Sequence, residues 1–288
     1  MKKNQQPQSI PWQEAETLPR YTVGKLSALF DMHPQSIRYF DTVNLVRPVR
    51  DESNGRRIYS NRDMFDIVER MKYKNIGLSI KETERLLEES RLGALDGWMQ
   101  LCEQRMRKEQ ERLVMMQAGV ARLQEKIRQI PLLLERCTYQ RRPAMYAHLH
   151  HINGQYDESP DAVAARKQFI DWMPLSFYLF EIPAAGLPTE DYRWHIAMEE
   201  AAAKAVGFDR LAGIRRIEAE DCIHTVFSLT GDDAINAHCY AGAMSFISSN
   251  GWQTHGNVYG SFIASIRQNG TAERYFDAWI PIRSLQQV

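Results

Sequence analysis

Apolar positions near the start of the chain recur every three or four residues. After Thr22, the residues Val23, Leu26, Leu29 and Phe30 fall at helical spacing, and Thr22 can cap the helix they predict. Asp31-Met32-His33 reads as a turn. Pro34 suits the first position of a second helix, where its missing N–H costs nothing. Ile37, Phe40 and Val43 share one face of that helix, with Leu45 just beyond, while Gln35, Arg38 and Asp41 point elsewhere. Two short helices joined by a three-residue turn make a helix-turn-helix. Asn54-Gly55 then signals a hairpin, because both residues tolerate the positive φ of a type I′ turn. Its arms carry Arg47, Arg50, Arg56 and Arg57, with Tyr59 closing. Ser60 with Asp63, and Ser79 with Glu82, open two supporting helices as capping boxes, the first running to about Asn75 and ended by Gly77.

From Met99 the rhythm continues without turns. Met99, Cys102, Met106, Leu113, Met116, Val120, Leu123, Ile127 and Ile130 form a narrow apolar seam, interrupted by Glu109 and ended by Pro131. About 32 residues make a helix of about 48 Å, flanked by Arg, Glu, Gln and Lys. Such a stripe marks a coiled coil, and so polar a helix needs a partner. Met99 through Ile127 on this seam are the expected dimerisation residues.

Beyond residue 136 the period shortens. "PAMYAHLHHI" reads as a strand, "PDAVAARKQFIDWM" as a helix, and "SFYLFEI" and "DYRWHIAM" as strands. "CIHTVFSLTG", "AINAHCYAGAMSFISSN", "NVYGSFIASI" and "RYFDAWIPI" repeat that order, and Gly154 and Gly231 fall at equivalent strand ends. The pattern predicts an α+β chain: a disordered polar tail (1–19), a winged helix-turn-helix head (20–90), a dimerisation helix (91–132) and a domain of two β-α-β-β repeats (137–288).

The net charge of zero hides an asymmetry. Residues 20–81 carry a net +5 and residues 137–288 a net −5, so the front suits a polyanion and the back a different partner. Four scattered cysteines without a CxxC pair suggest free thiols in a reducing compartment. No apolar run approaches the roughly 20 residues of a membrane span, and the start lacks a signal-peptide core. The expectation is a cytoplasmic protein with no membrane partner and no cofactor. Cys102 lies on the apolar seam and no second cysteine lies near Cys137, while His148 and His150 lack a third ligand at fixed spacing, so no metal site is expected.

The front segment resembles the DNA-binding domain of the MerR family over about 70 residues. The family's Thr-Ile/Leu-Arg-aromatic-aromatic-Glu appears as Ser36-Ile37-Arg38-Tyr39-Phe40-Asp41. Asn44-Leu45-Val46-Arg47-Pro48-Val49-Arg50 follows, then the wing Gly55-Arg56-Arg57-Ile58-Tyr59 and Ile76-Gly77-Leu78-Ser79-Ile80-Lys81-Glu82. Asp41 replaces Glu, Asn44 replaces Gly, and Arg56 stands where an aromatic is usual. The resemblance implies DNA contacts from Thr22, Gln35, Ser36, Arg38, Tyr39, Arg56, Arg57 and Tyr59. It also implies an antiparallel coiled-coil homodimer on a palindromic promoter operator, which acts on RNA polymerase indirectly, by distorting the DNA.

The back half resembles the GyrI-like effector-binding domain, whose relatives in multidrug-sensing regulators take bulky apolar, often cationic molecules. A small-molecule effector is therefore implied, with Tyr178, Phe180, Glu181, Trp194, Trp252, Tyr259, Gly260, Asp277 and Trp279 as candidate contacts. Aromatic faces attract organic cations. The relatives' glutamate follows a tyrosine directly, and here that position falls on Gly260. Glu181, Asp191 or Asp277 must take over, or the ligand is not a pinned cation; a glycine there is also expected to widen the cleft. The alternative is a GyrI-like hydrolase, with tyrosine and glutamate as acid and base, fused to a DNA-binding head.

Overall fold

The computed structural model describes residues 20–88, 92–152, 154–184, 193–231, 233–268 and 270–284. The expected tail (1–19) and Asp191 lie outside them. Among the described residues no helix is long and apolar enough to cross a membrane. The chain divides into two compact units between Lys108 and Glu109.

In the first unit, β1 (Tyr21–Thr22) leads into α1 (Val23–Phe30), whose first turn is capped by the Thr22 hydroxyl accepting from Lys25 N at 3.3 Å. Pro34 opens α2 (Pro34–Thr42), and Ile37 and Phe40 are its buried face. Asn44 holds φ +56° after α2, a left-handed position that Asn fills more readily than most residues. The wing strands β2 (Val49–Arg50) and β3 (Arg57–Tyr59) pair antiparallel, and β1 pairs β3. The link between β2 and β3 is not the expected type I′ turn. Only Gly55 takes positive φ (+68°), and Asn54 does not. Asp51 organises a six-residue loop instead: its carboxylate accepts from Ser53 N, and its backbone bonds Gly55 and Arg56. The capping boxes form as the sequence predicts, Ser60–Asp63 at α3 (Asn61–Asn75) and Ser79–Glu82 at α4 (Ile80–Glu88). Leu26, Ile37, Phe40, Leu45, Val46, Tyr59 and Ile67 make the core.

Helix α5 (Leu92–Leu133) has 42 residues, about 63 Å, and so extends N-terminally beyond the seam that starts at Met99. Pro131 lies inside it rather than ending it. A proline removes its own donor and crowds the carbonyl four residues back, yet the helix continues past it, and Leu134 N still reaches Ile130 O at 2.9 Å. Cys102 departs from the seam assignment. It is buried at 3% exposure within its own unit, against Tyr73, Leu78 and Leu86. Met99, Met106, Leu113, Val120 and Ile127, spaced by sevens, remain exposed.

The second unit is one antiparallel ten-stranded sheet. Its strands are β4 (Cys137–Arg142), β5 (Met145–Ile152), β6 (Gln155–Tyr156), β7 (Ser176–Ile182), β8 (Arg193–Glu199), β9 (Ile214–Ile217), β10 (Glu220–Thr230), β11 (Trp252–Thr254), β12 (Val258–Gln268) and β13 (Thr271–Ser284). The helices are α6 (Pro160–Ile170), α7 (Glu200–Ala205) and α8 (Ala241–Ser249). The strand order is 4-10-13-12-7-8-5-6, with β11 on β13 and β9 on β5. The two predicted repeats are thus β5-α6-β7-β8 and β10-α8-β12-β13, joined where β12 pairs β7. Gly154 and Gly231 take φ +82° and +62°, beside the ends of the equivalent strands β5 and β10. The sequence reading missed β4, β6, β9, β11 and α7, all short or edge-placed.

Candidate functional site

In the head, α2 and the wing bring four arginines to one groove. Arg38, Arg50, Arg56 and Arg57, with Val23 and Gly55, line a cavity of about 290 Å³. Arg57 is braced from behind, its Nε 2.6 Å from the Asp41 carboxylate, so the Asp at the end of the α2 motif orients a wing arginine. Arg50, not among the residues first assigned, belongs to this groove; its place on a hairpin arm was the available signal. Gln35, Ser36 and Tyr39 line a second groove of about 570 Å³, with Phe30, Arg70 and Lys74, and Tyr39 is half exposed. Tyr59 is a correction. It is fully buried in the head core, because pairing with Tyr21 across β1 and β3 turns its ring inward, and it cannot touch DNA.

The candidate effector residues do not form one site. Neighbours along a strand face opposite sides of a sheet, and the nine residues divide accordingly. Phe180, Trp194 and Trp252 join the apolar core that α8 covers. Tyr178 and Trp194, with His150, His151 and Tyr156, line a cavity of about 420 Å³. His150 is buried there, and burial with the nearby Arg166 charge brings its imidazole down to about 4, so it is neutral. Gly260 is a second correction. A Cβ built on it would lie 2.0 Å from Asp277 O and 2.3 Å from the Phe180 ring. The glycine does not widen a cleft; it makes room for Phe180 against β13.

Glu181, Tyr259, Asp277 and Trp279 share the other face. Glu181 stands directly across from Tyr259 in the β7–β12 register, so the carboxylate comes from the neighbouring strand. It is fully buried. Its Oε1 accepts from the Tyr259 hydroxyl at 3.0 Å and from Asn257 Nδ2. Its Oε2 accepts from His195 Nε2 at 2.8 Å and Arg215 Nη2 at 2.7 Å. Burial pushes the Glu181 carboxyl up, but these bonds from His195 and Arg215 outweigh it and hold it well below the usual carboxylate range. Burial lowers His195, which leaves it a neutral imidazole donating through Nε2. Asp277 makes a second polar cluster. Its Oδ1 accepts from Ser261 N and Oγ, and its Oδ2 lies 2.9 Å from Lys126 Nζ on α5. Burial raises Asp277, and Lys126 and His224 pull it below its ordinary value. His224 stacks on Trp279, ring centroids 4.0 Å apart. His195, Arg215, Asn257 and Lys126 were not foreseen. Among the described residues no group of three or more His, Cys, Asp or Glu could hold a metal ion.

Several solved structures resemble the chain. A MerR-family transcriptional regulator from Bacillus cereus is 19% identical over 38% of this chain and 84% of its own, with TM-score 0.35. The EcmrR–DNA complex is 14% identical over 92% and 100%, with TM-score 0.33. An uncharacterized conserved protein from Listeria innocua is 10% identical over 55% and 98%, with TM-score 0.38. No curated protein matches the sequence. Residues 21–90 match the family described as MerR HTH family regulatory protein, and with the capped helix pair, the wing and the arginine groove in place, this segment is a MerR-family helix-turn-helix domain.

Proposed function

We propose that the protein is a cytoplasmic, homodimeric, ligand-responsive transcriptional regulator that binds a palindromic promoter operator. The observation that carries this reading is the groove where Arg38 of α2 meets Arg50, Arg56 and Arg57 of the wing. Four cations on a helix-and-hairpin edge suit backbone phosphates, which supply most of the affinity for duplex DNA. In this reading Gln35, Ser36 and Tyr39 enter the major groove with Arg38, and the Thr22 hydroxyl donates to a phosphate at the start of α1. The exposed row on α5 pairs with a second copy, so two heads reach one palindrome. Effector binding in the C-terminal unit favours one of two protein states, and the favoured state distorts the promoter at a cost of several kcal/mol so that RNA polymerase can engage. The test is selection of a duplex from a random library, followed by titration of wild type and Arg38→Ala at matched salt. Ten- to hundred-fold weaker binding with an intact dimer is expected, and unchanged affinity would overturn the interface.

A hydrolase is the competing reading, favoured by the Tyr259–Glu181 hydrogen bond. A general base needs a pKa near the working pH. Glu181 is instead held far below it, with each oxygen accepting two hydrogen bonds. Ester turnover abolished in Glu181→Ala would reverse this preference.

A further inference from the structure

The face around Tyr259 has a lopsided inventory of charges and donors. Both of its deeply buried carboxylates already face a cation of this chain, Arg215 at Glu181 and Lys126 at Asp277. A carboxylate has about four lone-pair sites, and at Glu181 four donors fill them. The guanidinium donors, by contrast, are not used up. Arg142 is buried at 1% exposure and bonds Glu218 O and the Glu220 carboxylate through Nη2 alone. Its Nε and Nη1 find no oxygen or nitrogen acceptor among the described residues; the neighbouring Cys222 thiol, on which Arg142 acts, is only a weak acceptor, so the arrangement is costly unless something stronger accepts from them. The hydrogen bonds of Arg215 also run through Nη2 only, and its side chain is 42% exposed. Both guanidinium groups lie against one ring, with Cζ atoms 4.6 and 5.9 Å from the Tyr259 centroid. Trp279, stacked on His224, is the cross-strand neighbour of Tyr259.

We infer that this face takes an anionic aromatic molecule, a carboxylate on a flat ring system, rather than an organic cation. Arg142 and Arg215 supply N–H donors to the carboxylate, a chemistry guanidinium groups suit, and the half-buried Trp279 supplies surface for the ring, since Tyr259 is already covered by the two guanidinium groups. Arg215 occupies the place a cationic ligand would need at Glu181, so it both excludes cations and attracts the anion. The inference rests on reading the C-terminal unit as the effector-binding part.

The test is calorimetric titration and thermal shift of the full chain without DNA, using 1-naphthoate, 1-naphthalenemethanol and tetraphenylphosphonium. Wild type should bind 1-naphthoate at least ten-fold more tightly than the neutral alcohol or the cation. Arg215→Gln should weaken 1-naphthoate at least ten-fold and gain affinity for tetraphenylphosphonium, since Glu181 loses its internal partner. Arg215→Lys keeps the charge and guards against misfolding of the first variant; it should weaken 1-naphthoate while still rejecting the cation. Wild type that prefers tetraphenylphosphonium, fails to bind 1-naphthoate, or binds it equally well after Arg215→Gln overturns the inference. Because DNA is absent from the assay, such a failure leaves the regulator reading standing on its own test.

Discussion

Gly260 shows how one residue can mislead when only its neighbours in sequence are known. Beside Tyr259, at the position where the resemblance to GyrI-like domains implies a glutamate, it suggests an open site and a cation affinity that Gly260→Glu would restore. In three dimensions the missing Cβ is space that the Phe180 ring and the β13 backbone use. Gly260→Ala should therefore destabilise the protein by about 3 kcal/mol or more, at the severe end of overpacking, as read from urea denaturation. Gly242, helical and with open space around its Cβ position, should tolerate alanine and gain up to about 1 kcal/mol. His150 carries a pH prediction. Its imidazole titrates near 4 in the fold against 6.5 in the unfolded chain, so between those values the unfolded state binds more protons. Stability should fall as pH drops from 6.5 to 4, by about 3 kcal/mol from this residue. His150→Gln should flatten that part of the Tm–pH curve, and an unchanged slope would show that other groups set it. Sequence spacing could not announce the Gly260 or the His150 result, because both depend on which strands lie side by side.

Elements were legible in proportion to their length and periodicity. The α1–α2 pair, both capping boxes and the two β-α-β-β repeats could be read because cap residues and apolar spacing are local signals. Strand β9 could not: four residues, Ile214–Ile217, are too few to establish a period. Missing it meant missing Arg215, and so the reason the Glu181 carboxylate is already neutralised. The wing failed differently. Asn54-Gly55 is a sound turn signal, but the Asp51 side chain competes for the same backbone and lengthens the loop. Helix α5 is tied to the sheet of the second unit by Lys126 on Asp277, a contact no spacing rule reaches. Lys126→Met should cost roughly 3 kcal/mol at neutral pH, because it strands a buried carboxylate. The folded Asp277 pKa lies below its unfolded value, so the pair's contribution is present above the unfolded pKa and is lost as pH falls through the folded one. The difference between variant and wild type should shrink on acidification below about pH 4, the unfolded aspartate value; a difference constant with pH would mean that packing, not charge, is what Lys126 supplies.

At the scale of the whole molecule, DNA affinity and self-association are expected to be one property. Met99, Met106, Leu113, Val120 and Ile127 recur every seven residues and stay between 36% and 52% exposed, which leaves one side of a coiled-coil seam uncovered. If two copies close over it, a palindrome meets two arginine grooves, and each phosphate-bound arginine contributes about 0.9 to the slope of log affinity against log salt. Arg56→Ala, removing one contact from each head, should then lower that slope by about 2 in anisotropy titrations over a range of KCl. The double variant Leu113→Glu, Val120→Glu puts like charges into the seam without touching the head. It should sediment as a monomer, keep its fold, and show about half the wild-type salt slope. The alternative is a head that binds alone, with α5 serving some other purpose. In that case the double variant would keep the full slope and affinity. The two measurements together separate a defect in the groove, which changes the slope of an intact dimer, from a defect in assembly, which changes slope and mass together.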